Sequence, residues 1–280
     1  MNAIAESNAA QCRGQVSASL NYLGDMHVKP YFHVHDRKND HLNLVAHSVT
    51  VTDAREARTS LDEEGFCLLP HRSSITNLHS KKAVLCVYGR EMATLVRELT
   101  GASKVTASPL GVLRVGERSV TNSHATVHRP VRFVHADYTT DSAVRSMHRH
   151  FHCDEDPALS ERRYAIYHVW RALTPAPQDA PLALCDPRTV SDQDCIAADT
   201  ILDFPGSRAD RLEAVLFRHN PRHRWYYFPN MTPDEVIIFK DFDSDARGPC
   251  RVPHTAFDDP TCPSHTPARV SLDLQLFAVF

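Results

Sequence analysis

In Val134-His135-Ala136-Asp137-Tyr138-Thr139 an imidazole and a carboxylate stand two residues apart, just after the apolar pair Phe133-Val134. On a β-strand alternate side chains share a face, so His135 and Asp137 project together. One histidine and one carboxylate held that way are two of the three ligands of a 2-His-1-carboxylate site, which binds Fe(II) and leaves coordination positions open. The H-x-D spacing recurs at His152/Asp154, among Arg149, Glu155 and Asp156, where the charge density reads as a solvated loop. Among 18 histidines, roughly one such triplet arises by accident, so strand context has to choose between the two.

A third ligand must come from elsewhere. One candidate is His254 in Val252-Pro253-His254-Thr255-Ala256-Phe257; the other is His223, flanked by Arg222 and Arg224 in a stretch that suits a turn. Farther on, Arg269-Val270-Ser271 opens a strand with alternating Val270, Leu272, Leu274 and Leu276. Arg269 and Ser271 then share one face, and a guanidinium fork beside a hydroxyl suits a buried carboxylate. The order H-x-D, His, R-x-S thus combines a metal site with an anchor for a dicarboxylate.

The surrounding pattern says how these residues are carried. Residues 1–40 are mixed and polar and read as an extended arm. Leu42–Val51 reads as a strand, followed by a short helix from Asp53 through Ala57. Leu61–Pro70 reads as a helix end, a glycine turn and a strand. A helix is predicted over Ser80–Thr100, with Val87, Glu91, Leu95, Val96 and Leu99 on its face and Gly101 as its C-cap. Strands follow at Val105–Val115, Tyr164–Arg171 and Leu182–Asp186, with a helix at Asp141–Arg149 between the first two. From Val215 onward short strands alternate with Pro229, Pro233, Gly248 and Pro260, at the spacing of a barrel or sandwich. The expected organisation is one domain over residues 1–280: an arm at 1–40, helix and strand support at 41–104, and a mainly β core at 105–280 with flanking helices (α+β).

Composition bounds the partners. A formal net charge of −3 with scattered basic residues gives no electrostatic case for nucleic acid or an anionic membrane. No stretch has the length and apolarity of a membrane span, and residues 1–20 lack the apolar core of a secretory signal. The eight cysteines form no C-x-x-C pair and read as reduced thiols of a cytoplasmic protein. On a helix His148 and His152 would share a face and could bind zinc or nickel; the stretch with His148, His150 and His152 reads instead as a solvent-facing segment near a site mouth. Trp225 and Tyr227 divide between core packing and a pocket wall, and Arg171 is a candidate partner for a substrate carboxylate.

These stretches together resemble the Fe(II)/2-oxoglutarate-dependent dioxygenases. They are most similar to a hydroxylase/desaturase group that includes gibberellin GA4 desaturase-like and CmcJ-like proteins. The resemblance is carried by Leu20-Asn21-Tyr22-Leu23, Val134–Thr139, Val169-Trp170-Arg171, Pro181–Asp186, His223–Pro229, Met231–Glu235 and Pro253–Phe257. Ala172 in place of a proline, His168 in place of an asparagine, and the histidine-rich stretch after Thr139 depart from the group's pattern. The resemblance implies a double-stranded β-helix (jelly roll, cupin-like). It implies Fe(II) on His135, Asp137 and His254, 2-oxoglutarate anchored by Arg269 and Ser271, O2 as co-substrate, and no side-chain nucleophile. The expected activity is hydroxylation or desaturation of an unactivated C–H in a small specialised metabolite, with Arg171, Tyr138, Trp225 and Tyr227 toward the substrate. The competing expectations are a non-catalytic jelly-roll binding protein, or an isomerase or oxidative cyclase that does not use 2-oxoglutarate.

Overall fold

The computed structural model describes residues 14–118, 128–152, 162–203, 206, 209–245, 247–248 and 250–280. Two sheets face each other. The first has the order β1 (Gln15–Leu23), β3 (Leu44–Asp53), β11 (Trp225–Tyr227), β8 (Leu182–Cys185), β13 (His254–Ala256), β6 (His135–Ala136), β10 (Asp210–Phe217), β9 (Cys195–Leu202) and β2 (Tyr31–His33). The second has the order β4 (Phe66–Pro70), β12 (Glu235–Asp243), β7 (Tyr164–Ala172), β14 (Val270–Val279) and β5 (Lys104–Val115). Most pairings are antiparallel, and the arrangement is the jelly roll that the resemblance implies.

The large sheet curls. Asn21 of β1 makes a parallel bridge to Phe133, just before β6, and its side-chain amide donates to the Arg132 carbonyl at 2.7 Å. The enclosed face carries Leu20, Tyr22, Val51, Val134, Ala136, Cys185, Phe217 and Trp225. Ala136 and Val134 pack into that curl, so strand alternation sends His135 and Asp137 the other way, toward the second sheet.

The second sheet is apolar on its outer face and mixed on its inner one. Leu272, Leu274, Leu276 and Ala278 of β14 face outward with Tyr167 and Val169, against Val84, Tyr88, Met92 and Val96. Those four belong to a helical run made of α1 (Lys81–Ala83), a π turn (Val84–Tyr88) and α2 (Gly89–Thr100). The predicted helix is present, but its buried face differs: Val87 and Leu99 are exposed at 42% and 41%. The buried stripe keeps a spacing of four but is offset from the predicted one, running Val84, Tyr88, Met92 and Val96, because those are the residues that pack on the outer face of β14 and β7. The inner face of the sheet carries Trp170, Ala172, Ile237 and Phe239.

Other expectations are corrected. Ala54–Ala57 is a turn, because Asp53 ends β3 and its carboxylate accepts the Arg55 N–H at 2.8 Å, the Asx geometry that competes with a helix start. Residues 61–64 are likewise turn. Residues 14–40 hold β1 and β2, both hydrogen-bonded into the large sheet, while 1–13 lie outside the described residues. Strand β9 was not anticipated; its partly exposed sequence, apolar apart from Asp199 and Thr200, lacks a clean alternation. The helix at Asp141–Arg149 is α3 (Thr140–Phe151), with Thr139 and Ser142 exchanging capping hydrogen bonds. Among the described residues no helix is long and apolar enough to cross a membrane.

Gly101 ends α2 with φ +71° and has open space where a Cβ would stand. Gly101→Ala therefore tests backbone strain alone and should lower unfolding free energy by about 1 kcal/mol in urea titration, with little change in slope.

Candidate active site

His254 on β13 lies directly opposite His135 on β6 in the antiparallel register. Cross-strand partners share a face, so the two imidazoles stand side by side with ring centroids 4.3 Å apart. Asp137 joins them, its Oδ1 3.6 Å from His135 Nε2. One ligand-type atom from each of the three lies within 4.8 Å of the others.

The tautomers are set locally. His135 Nδ1–H donates to the Phe133 carbonyl at 3.0 Å, and His254 Nδ1–H donates to the Val252 carbonyl at 3.1 Å. Both Nε2 lone pairs therefore point into the shared space, the arrangement in which histidine binds a metal. Burial, with His254 alongside, pulls the His135 pKa down to about 3, and burial lowers that of His254. Both rings are neutral, as metal ligation requires.

Asp137 is held from behind. Its Oδ2 accepts a hydrogen bond from Gln275 Nε2 at 2.9 Å, while Tyr138 O–H donates to Gln275 Oε1 at 2.9 Å. Reversing that amide would put its oxygen against a carboxylate oxygen, so the orientation is fixed and Oδ1 is left for a cation. The backbone N–H of Asp137 donates to Asp241 Oδ1 at 3.1 Å. Burial alone would raise the Asp137 pKa, but His168, His135, His254 and Arg114 together outweigh it and take it down to about 2.

His168, in the middle strand β7, is buried. It donates Nδ1–H to Asp273 Oδ1 at 2.9 Å and Nε2–H to Asp241 Oδ2 at 3.2 Å, and its ring stacks on Phe239 at 4.7 Å. Burial works against its charge, yet Asp273 and Asp241 hold its pKa well above the ordinary histidine value. Asp137, His168 and Asp241 also bring ligand-type atoms together. With both nitrogens of His168 donating, its ring has no lone pair for a metal, and the trio is a hydrogen-bonded cluster.

The opposite end of the cavity is basic. Arg269 is 1% exposed, its guanidinium 5.4 Å from the Trp170 ring centroid, and it donates to the Ala180 carbonyl. Its Nε and the Ser271 hydroxyl are shielded from water and have no hydrogen-bond partner. Burial, then the neighbouring Arg114 and Arg132, pulls the Arg269 pKa down to about 9. A buried donor left open costs roughly 1–3 kcal/mol. A carboxylate at this point would satisfy both donors and restore the charge, so the residues present fit a bound dicarboxylate. The cavity is lined by His135, Asp137, His254 and Arg269 with Arg114, Asp273, Trp170 and Phe239 among the other walls.

The structure thus brings His135, Asp137, His254, Arg269 and Ser271 to one place, and leaves other candidates elsewhere. Arg171 follows Trp170 and so points outward, its donors taken by Tyr88 O–H at 3.0 Å, the His71 and Pro233 carbonyls, and His71 Nδ1 at 2.7 Å. Trp225 and Tyr227 face the closed curl, where Trp225 Nε1–H donates to Tyr22 Oη at 2.7 Å and Tyr227 packs on Phe257. Tyr138 reaches Asp137 only through Gln275. The rival ligand His223 pairs with Tyr22 Oη at 3.2 Å and Asp194 at 3.3 Å. His150 stacks on Phe277 at 4.1 Å and meets Thr106 Oγ1 at 2.6 Å, a packing role that differs from the solvent-facing reading. Asp154 lies outside the described residues.

Arg114, Asp241, Asp273 and Gln275 were missed by sequence reasoning. For two of them a signal was there: the period of two from Arg269 and Ser271 continues to Asp273 and Gln275.

A profile described as "YDMC: Oxidoreductase/YMDC permease-like domain" matches residues 20–279. The hydroxylase/desaturase efuI of Hormonema carpetanum is 32% identical over 227 residues, 75% of this chain and 76% of that protein. The Fe(II)/2-oxoglutarate-dependent dioxygenase nvfI of Aspergillus novofumigatus is 29% identical over 242 residues, 83% of each chain. A solved structure of the iron and alpha-ketoglutarate-dependent endoperoxidase NvfI superposes with a TM-score of 0.83 at 26% identity, covering 96% of this chain and 99% of that one. Fold and facing ligand set together define a non-haem iron, 2-oxoglutarate-dependent oxygenase. Within that class the chain belongs to the hydroxylase/desaturase family.

Two outcomes follow from the geometry. Gln275→Leu should weaken Fe(II) binding about 10- to 100-fold by calorimetry under anaerobic conditions, because Asp137 loses the donor that fixes it. In chelator, the metal-free protein should lose stability as pH falls from about 6.5 toward about 3. In that window the unfolded chain protonates His135 and the folded one does not, so protons favour unfolding. His135→Leu should flatten that part of the pH–stability curve measured in urea.

Proposed function

We propose that His135, Asp137 and His254 hold Fe(II), that Arg269 and Ser271 hold the distal carboxylate of 2-oxoglutarate, and that the enzyme oxidises an unactivated C–H of a small specialised metabolite. The observation that carries this reading is one cavity with two kinds of open valence. At one end two free Nε2 atoms and one carboxylate oxygen converge; at the other Arg269 Nε and Ser271 Oγ lack partners. The bound metal and cosubstrate supply oxygen activation, coupled to conversion of 2-oxoglutarate to succinate and carbon dioxide.

The chain's part is positioning. Gln275 keeps one Asp137 oxygen occupied and frees the other. His168 neutralises the acids behind the metal position. Trp170 stacks beside the Arg269 guanidinium and, with Leu182 and Phe239, makes an apolar wall that keeps bulk water from the reacting end. Shielding strengthens the interactions that hold the charged cosubstrate. Hydroxylation and desaturation then differ in how the substrate's carbon is posed against this wall. A pocket that merely bound a neutral ligand would not need the open Arg269 and Ser271 donors, which favours turnover with 2-oxoglutarate over a binding or isomerase role.

Succinate should form only with Fe(II), oxygen and 2-oxoglutarate together. Arg269→Ala should raise the KM for 2-oxoglutarate by roughly 100-fold, as expected for removing one partner of a buried charged pair, while the Fe(II) Kd stays unchanged. If that variant turns over normally at low 2-oxoglutarate, the cosubstrate assignment is wrong.

A further inference from the structure

Arg114 has no counterpart among the roles assigned above. It lies on β5, paired across the sheet with Ser271, and lines the same cavity as His135, Asp137 and His254. Cross-strand partners project from one face, so its side chain starts beside the Ser271 hydroxyl and extends toward the metal end. Its Nη1 donates to the Arg129 carbonyl at 3.1 Å. Among the described residues its side chain makes no other hydrogen bond, and no carboxylate comes within ion-pair distance, although Asp137 and Asp273 act on it electrostatically.

The second guanidinium, Arg269, lies close enough to repel it. Arg114 is only partly buried and shares the cavity with Asp137 and Asp273, so what it offers is directional: a guanidinium edge presented to a ligand site is a ready pair of donors for an anionic group. The distal carboxylate of 2-oxoglutarate answers Arg269 and Ser271. It leaves the free edge of Arg114, Nε and Nη2, without an acceptor.

We infer that Arg114 is a second carboxylate-binding residue, which grips a carboxylate held between the metal position and β5. This rests on the 2-oxoglutarate reading of the Arg269 end. Two sources carry that chemistry: the 2-oxo-acid end of the cosubstrate, or a carboxylate on the substrate itself. A guanidinium holds either through paired N–H donors that a lysine cannot reproduce.

The test is anaerobic calorimetry on the Fe(II)-loaded, full-length protein, comparing wild type with Arg114→Gln, Arg114→Lys and Arg269→Gln. The probes are 2-oxoglutarate, pyruvate, and, in the presence of 2-oxoglutarate, benzoate with benzamide as its neutral twin. Equal losses of about tenfold or more for 2-oxoglutarate and pyruvate in Arg114→Gln, only partly rescued in Arg114→Lys, assign the carboxylate to the cosubstrate. Unchanged 2-oxo-acid binding, with benzoate but not benzamide binding the wild type and lost in Arg114→Gln, assigns it to the substrate. If Arg114→Gln changes none of these affinities, the inference is overturned. If Arg269→Gln also leaves 2-oxoglutarate binding unchanged, it is the underlying cosubstrate reading that has failed. Unaltered Fe(II) affinity in Arg114→Gln shows that the variant has kept its fold.

Discussion

Asp137, Asp241 and Asp273 crowd the space between the two sheets, and three carboxylates cannot stay ionised there without a positive charge among them. His168 supplies the nearest such charge, with Arg114 also acting on Asp137 and Asp273. From the middle strand of the smaller sheet it bonds Asp273 with one nitrogen and Asp241 with the other. Asp241 in turn accepts the backbone N–H of Asp137. Remove the imidazolium and the acids repel, Asp137 loses its place, and the metal position loses its only anionic ligand. A neutral side chain at position 168 could donate to a carboxylate, but it could not balance charge, so the histidine and the pair Asp241/Asp273 are best understood as one unit.

The strand period distributes the rest. Along β14 the residues at even positions pack against the helix and those at odd positions from 269 to 275 face the cavity side: Arg269 and Ser271 at its basic end, Asp273 under His168, Gln275 on Asp137. The register carries this across the sheet, setting Gln275 against His168 and Phe239 against His168 from the other side. A one-residue slip of β14 would turn all four polar groups into the helix interface and bury leucines in the cavity. The helix–sheet core on the outer face is therefore what fixes the chemistry on the inner one.

The large sheet holds the other half by the same logic. Val134 and Ala136 fill its curl, which obliges His135 and Asp137 to face the cavity. Facing His135 across the ladder, His254 needs no loop to bring it in. Backbone carbonyls two residues upstream of each histidine choose the tautomer, so rigid strands rather than mobile loops present the ligands, as precise geometry demands.

From the sequence alone one could read the strand-borne His135 and Asp137, the later His254, and the Arg269/Ser271 pair, because alternation is a local property and residue chemistry is visible in type and spacing. The β-rich architecture was legible for the same reason, through short strands punctuated by proline and glycine. What lay beyond reach depended on contacts between distant segments. Arg171 and His168 sit three apart on one strand, and only packing decided that one faces the helix and the other the acids. Trp225 and Tyr227 were aromatic alternators whose face was set by the curl of a sheet closed between residues 21 and 133. Asp241, Asp273 and Gln275 became functional only when β7, β12 and β14 were laid side by side. The strand period fixes which residues share a face; which face meets the cavity is decided by burial of the other one, and that is a property of the folded whole.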